Sequence, residues 1–204
     1  MNATQNLEKI AEYRQDFAII ANWLKFGSKA LDLGCGDGEL LHFLQGSMKV
    51  RGYGVEKDDA NWLSCLQNGI NVIQMDLEAG LSGFEAQSFD VVILSQTLQA
   101  MHNTENIVHE MLRVGREAIV TFPNFGYWRN RLQLMAGQMP VSRDIPYQWY
   151  DTPNVHLCTI KDFDQFCENH NIHVKERLVL TYGQRIQFMP NLRGSLAMYR
   201  LGRK

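Results

Sequence analysis

The run Leu31-Asp32-Leu33-Gly34-Cys35-Gly36-Asp37-Gly38-Glu39-Leu40 constrains this chain more than any other stretch. A strand-like apolar segment meets glycines at alternate positions and then a helical pattern. Glycine at such a turn accepts φ > 0, and it leaves room for a ligand where a Cβ would stand in the way. A dinucleotide fold prefers G-x-G-x-x-G, whose third glycine would fall where this chain has Glu39. The spacing fits a nucleoside cofactor without a pyrophosphate better than NAD.

Short apolar runs recur around this turn: Ala30–Leu33, Val50–Val55, Asn71–Met75, Phe89–Leu94 and Ala118–Phe122. Helical stretches separate them, among them Glu39–Leu44, Asn61–Asn68 and Thr104–Val114. Strands alternating with helices predict βαβ units, hence a doubly wound α/β fold with a mostly parallel sheet. Before the first strand, Leu7, Ile10, Phe17, Ala21 and Leu24 recur at helical spacing and Gly27 ends the pattern, so residues 1–26 read as an N-terminal helical segment. The alternation stops after Phe122. Residues 123–159 are aromatic and polar, and Pro123, Pro140, Pro146 and Pro153 interrupt any long helix. Thr159 with Asp162 resembles a capping box opening a helix to about Asn169. Strand-like runs His173–Thr181 and Ser195–Leu201 close the chain. Without repeats or a low-complexity linker, residues 1–204 read as one domain.

Two acids follow the glycine turn in register with it. The second apolar run leads into Glu56 and the third into Asp76. Ligands of open parallel sheets bind outside the carboxyl ends of the strands, where both acids fall. The Glu56 carboxylate can accept from both hydroxyls of a ribose, and Asp76 from an adenine amino group. Ser95 and Gln96 end the fourth run, as a cofactor contact or as a satisfied turn.

Composition removes several alternatives. A net charge of −2 with scattered Lys and Arg gives no basic patch for nucleic acid. No apolar run reaches membrane-spanning length, and the polar start Met1–Glu8 lacks signal-peptide shape, so a soluble cytoplasmic protein is expected, without membrane contact. Cys35, Cys65, Cys158 and Cys167 form no C-x-x-C pair, and His42, His102 and His109 have no ligand spacing, so no metal is expected. The proline-interrupted stretch concentrates Arg129, Arg131, Tyr147, Trp149, Tyr150, Asp151, Asn154 and His156. Loops of this kind carry binding, so they read as a pocket lid or partner surface. His156 fits either a base or a histidine hydrogen-bonded within its loop.

The set Asp32 to Gly38, then Glu56, then Asp76 resembles the class I S-adenosylmethionine-dependent methyltransferases. That resemblance implies a seven-stranded sheet whose last strand, Ser195–Leu201, inserts antiparallel. It implies a site for S-adenosyl-L-methionine or S-adenosyl-L-homocysteine made by Asp32, Gly34, Cys35, Gly36, Gly38, Glu56, Lys57, Asp76, Leu77 and Ser95. The glycine motif would contact the methionine part, the first acid the ribose, and the second the adenine. Longer runs resemble the narrower family of methionine biosynthesis protein MetW: Gln87 to Ala100, Glu110 to Arg116, Phe122-Pro123-Asn124-Phe125-Gly126, and Pro146 to Thr159. Lys25-Phe26 departs from the family pattern in a connection. The resemblance implies an accessory subunit that works with a homoserine O-acyltransferase toward O-acylhomoserine. The alternative is an active methyltransferase on a small molecule, for which no catalytic residue or acceptor follows. Nucleic-acid methylation is disfavoured, because no Asn-Pro-Pro-aromatic motif stands at Ser95 and Phe122-Pro123-Asn124-Phe125 lies after the fifth strand.

Overall fold

The computed structural model describes residues 14–204. The strands are β1 (Lys29–Leu33), β2 (Arg51–Glu56), β3 (Asn71–Gln74), β4 (Phe89–Ser95), β5 (Gly115–Pro123), β6 (Ile172–Thr181), β7 (Gln184–Arg185) and β8 (Leu196–Arg203). They form one sheet in the order β3-β2-β1-β4-β5-β8-β6-β7. The first five pair in parallel, while β8 inserts antiparallel between β5 and β6. This is the doubly wound α/β arrangement that the alternation predicts, with one edge strand beyond the expected seven. β7 is two residues long and turns back on β6 through Tyr182 and Gly183, both at positive φ. Such a turn usually announces itself as Asn-Gly or Asp-Gly, and Tyr-Gly does not.

Alternate residues of the same strands feed two cores. Leu31, Leu33, Val92, Leu94, Val120 and Phe122 pack on one face of the sheet, and Ala30, Val91, Ile93 and Ile119 on the other. Strands buried on both faces must be nearly continuous in apolar residues, which explains why these runs lack alternation. Helices α1 (Gln15–Trp23) and α2 (Glu39–Met48) cover the second face through Phe17, Ile20, Leu40 and Leu44. Of the predicted N-terminal helix, Leu7 and Ile10 lie outside the described residues. The short α3 (Asp59–Gln67) follows β2 and buries Cys65. Helix α4 (Thr104–Val114) covers the first face with Ile107, Val108, Met111 and Leu112, whose spacing makes a single apolar stripe.

Side-chain caps fix where helices begin. Asp58 accepts the Asn61 N–H ahead of α3, and Asn103 that of Asn106 ahead of α4. Thr159 and Asp162 form the predicted capping box of α6 (Ile160–Asn169). Each such cap contributes about 1 kcal/mol. One helix, α5 (Trp128–Met135), runs within the stretch expected to be irregular. Asn130 is its one buried residue, so its apolar side chains trace no core-facing period. A four-residue helix, α7 (Pro190–Arg193), precedes β8.

The motif after β5 is a structural junction. The fully buried Asn124 amide donates to Gly194 O at 2.7 Å and Asn191 O at 3.1 Å. Its Oδ1 accepts from Gly126 N and Ile160 N, so all four of its hydrogen-bonding positions are used.

Candidate functional site

The carboxyl ends of β3, β2, β1 and β4, neighbours in the sheet, bring the predicted cofactor residues to one edge. The turn after β1 is pinned to β2, since Gly34 N and Cys35 N both donate to Val55 O. Gly34 has φ +67°, and a Cβ there would lie 2.8 Å from Thr97 Cγ2. Gly36 has φ +56° and faces open space, with nothing within 4 Å of where its Cβ would be. A glycine in the left-handed region beside empty space leaves its backbone uncovered on that side. Gly38 caps α2.

Glu56 ends β2 almost fully buried. One carboxylate oxygen accepts Gly36 N at 2.9 Å, and the other accepts Lys57 N and Asp58 N, each at 2.9 Å. Asp32, buried in β1, has an Oδ1 with no hydrogen-bond partner. Burial, and then the nearby Glu56 charge, push its carboxyl up to about 8. An orphaned buried carboxylate oxygen calls for a donor or cation that arrives with a ligand. The α-ammonium of a methionine moiety has that chemistry.

The remaining members of the cofactor set divide. Asp76 stands exposed two residues beyond β3, Lys57 Nζ lies 4.0 Å from its carboxylate, and its Oδ1 accepts Glu78 N. Ser95 Oγ pairs with Thr121 Oγ1 at 3.1 Å. The Cys35 side chain packs with Leu41, Cys65 and Ile70 in a small core of its own, so only its backbone is left to serve the predicted cofactor site. Leu77 likewise packs its side chain into the main core.

Beside this edge lies a cleft of about 210 Å³, lined in part by Arg14, Asp16, Gln96, Tyr182 and Ser195. Gln96 holds φ +54°, unusual for a residue with a side chain, and its N–H donates to Thr121 O. Arg14 bridges Asp16 and Glu39. Arg129 reaches the adjoining cavity of about 230 Å³, where it donates to Tyr182 Oη at 2.6 Å. Arg143 also lines the cleft, and with Arg14 and Tyr182 it comes from distant segments that share no motif, so nothing local in the sequence marks them.

The other predicted partner residues lie on the outer surface. Trp149 and Tyr150 are each 71% exposed and meet edge to face at 5.7 Å, and Tyr147 is exposed as well. His156 Nε2 contacts His102 O at 3.2 Å, while Val155 N and His156 N both donate to Gln99 O. That geometry matches a loop-bound histidine.

Residues 14–201 match the profile of the family described as Methionine biosynthesis protein MetW. The chain is 38% identical over 186 residues to a Rhodopirellula baltica protein named Bifunctional methionine biosynthesis protein MetXA/MetW. That match covers 84% of this chain and 30% of the relative, so the chain spans less than a third of the relative's length. Solved structures share the fold. Magnesium protoporphyrin IX methyltransferase from Synechocystis, determined with bound S-adenosylhomocysteine, has a TM-score of 0.65 at 17% identity, covering 100% of this chain and 89% of that one. A methyltransferase from Aquifex aeolicus scores 0.62 at 14% identity over 98% of each chain. The [4+2]-cyclase SpnF scores 0.67 at 15% identity over 93% of this chain and 80% of that one. Likeness at these identities extends to the fold alone, which hosts more than one chemistry.

Proposed function

Because this chain belongs to the methionine biosynthesis protein MetW family, we propose that it binds S-adenosylmethionine or S-adenosylhomocysteine and serves as accessory subunit of a homoserine O-acyltransferase. The observation that carries this reading is the relative in which a 38% identical segment occupies 30% of a longer chain named as bifunctional. Units joined in one polypeptide raise each other's local concentration, the simplest reason for units that work together to be joined.

The site supports the cofactor half. Asp32 would hold the methionine ammonium, the bare backbone at Gly36 would lie against the ligand, Glu56 would take a ribose hydroxyl and Asp76 the adenine amino group. The cofactor, when bound, supplies a sulfonium methyl group that a nucleophile could receive. The cleft at Gln96 and Tyr182 would admit a small acceptor, which favours active methyl transfer as the second reading. The surface supports the partner half. Eleven of the eighteen exposed large apolar or aromatic side chains among the described residues lie between Trp128 and Leu157. Exposed apolar concentrations of that kind mark protein–protein contact sites. Among the described residues no helix is long and apolar enough to cross a membrane. The proposed biosynthetic role is what carries our placing of the protein in the cytoplasm.

Affinity capture of the intact protein from its own cells tests the reading. An O-acyltransferase of homoserine should co-purify, and its rate should rise when this chain is added back. A chain that captures no acyltransferase, yet methylates a small acceptor with turnover, establishes the second reading instead.

A further inference from the structure

Glu105 and His109 stand four residues apart on α4, a spacing that puts both side chains on one helix face. The C-cap of α6 arrives beside them. His170 brings Nδ1 to 3.1 Å from Glu105 Oε1, and its ring meets that of His109 with centroids 5.8 Å apart. One ligand atom from each of the three residues falls within 4.8 Å of the other two. Phe166 packs on the His170 ring at 4.5 Å and limits its rotation.

We propose that Glu105, His109 and His170 form a binding site for a divalent transition-metal ion of the zinc type, bridging α4 to the end of α6. Tetrahedral zinc holds nitrogen and oxygen ligands at roughly 2.0–2.2 Å, which sets neighbouring ligand atoms about 3.3 Å apart. Glu105 and His170 already stand near that spacing. The exposed His109 side chain closes the triad by rotation about its own bonds. Two imidazoles and one carboxylate select zinc, cobalt or nickel over magnesium and calcium, which prefer oxygen. The fourth position is left to water or to a group from a partner. No histidine spacing announced the site, because His170 follows a different helix far along the chain. The proposal does not depend on the cofactor site or on the acyltransferase reading.

Tag-free protein stripped with a chelator is titrated with zinc chloride by calorimetry and with cobalt chloride by visible absorption. One ion per chain should bind, with cobalt bands of a four-coordinate nitrogen and oxygen site and a rise in melting temperature. His109→Ala and Glu105→Gln, both at exposed positions, should weaken binding at least tenfold. His42→Ala, an exposed histidine on α2, should change nothing. No stoichiometric ion, or undiminished affinity in His109→Ala, overturns the site and leaves Glu105 and His170 as a plain side-chain contact.

Discussion

The Glu56 carboxylate accepts the Gly36 backbone N–H at 2.9 Å, so the acid that ends β2 holds the glycine turn that follows β1. With Lys57 N and Asp58 N on its other oxygen, Glu56 has about one acceptor position left of the four a carboxylate offers. Binding both ribose hydroxyls would therefore require one backbone partner to be released. Glu56 shapes the turn, and in the proposed complex it would also face the ribose.

Glu56→Ala should accordingly weaken S-adenosylhomocysteine binding by roughly ten- to a hundredfold, since a hydrogen bond to a charged group contributes about 1.5–3 kcal/mol. The melting temperature should fall as well, because three N–H groups lose their acceptor. Calorimetric titration below the lowered melting point separates the effects. Unchanged affinity in the folded variant removes Glu56 from the ligand's contacts.

Asp32 predicts a pH dependence with a definite sign. Its carboxyl titrates near 8 in the folded chain, against an ordinary value of 3.8. The folded state therefore holds a proton that the unfolded state has already lost between those values. Its contribution to stability is complete below about 3.8 and is lost as pH rises through about 8. Relative to Asp32→Asn, the wild type should lose melting temperature steadily as pH rises from 4 to 9. A cationic ligand on Asp32 favours the ionised form, so binding at pH 7 should release protons. Titration in buffers of different ionisation enthalpy reads that release, and Asp32→Asn should abolish it. Equal heats in all buffers for both proteins would leave Asp32 uncoupled from the ligand.

What the sequence showed and what it hid have one physical source. The glycine turn, Glu56 and the Thr159–Asp162 capping box are local devices, specified by neighbours within a few positions, and the structure places each at the expected strand or helix end. Non-local features left no such trace. The cleft joins Arg14 to Tyr182 and Ser195, and the α4–α6 triad joins Glu105 to His170. Leu77 and Cys35 sit at motif positions, yet their side chains serve packing, since a motif fixes the backbone path and not every side-chain direction. Helix α5 was hidden because Leu132, Leu134 and Met135 are exposed, so no apolar stripe marked it.

That exposed surface carries the next expectation. Trp149 and Tyr150 touch each other and are mostly exposed, Trp149 also lining a shallow cavity with Met139 and Val141. Truncating exposed side chains shifts stability by about 0.5 kcal/mol at most, whereas a buried interface aromatic costs 2 kcal/mol or more of binding, roughly thirtyfold. Trp149→Ala and Tyr150→Ala should therefore leave the melting temperature nearly unchanged and weaken acyltransferase capture at least tenfold. Full capture with both residues truncated moves the docking surface elsewhere.

The cofactor edge and the outer surface are joined by contacts through Thr97 and Gln99. Thr97 packs against Gly34 of the glycine turn, and the 3₁₀ turn Leu98–Ala100 follows it directly. Within that turn, Gln99 O accepts the N–H groups of Val155 and His156, the end of the segment that bears Trp149 and Tyr150. A ligand that presses on the glycine turn thus has a packed and hydrogen-bonded route to the proposed docking segment. If the proposed role in methionine biosynthesis holds, a site for S-adenosylmethionine would sense a product made from the pathway's own output. Coupling between two sites is reciprocal and typically amounts to about 1–3 kcal/mol, or roughly five- to a hundredfold in affinity. The dissociation constant of the acyltransferase pair, measured at fixed salt with and without saturating cofactor, should change by such a factor, and feedback logic favours weakening. Cofactor affinity must shift by the same factor when the partner is present. Thr97→Ala removes the contact beneath Gly34 and should shrink both shifts together while each ligand still binds alone. Equal pair constants with and without cofactor would show that the retained site serves methyl transfer or folding rather than sensing.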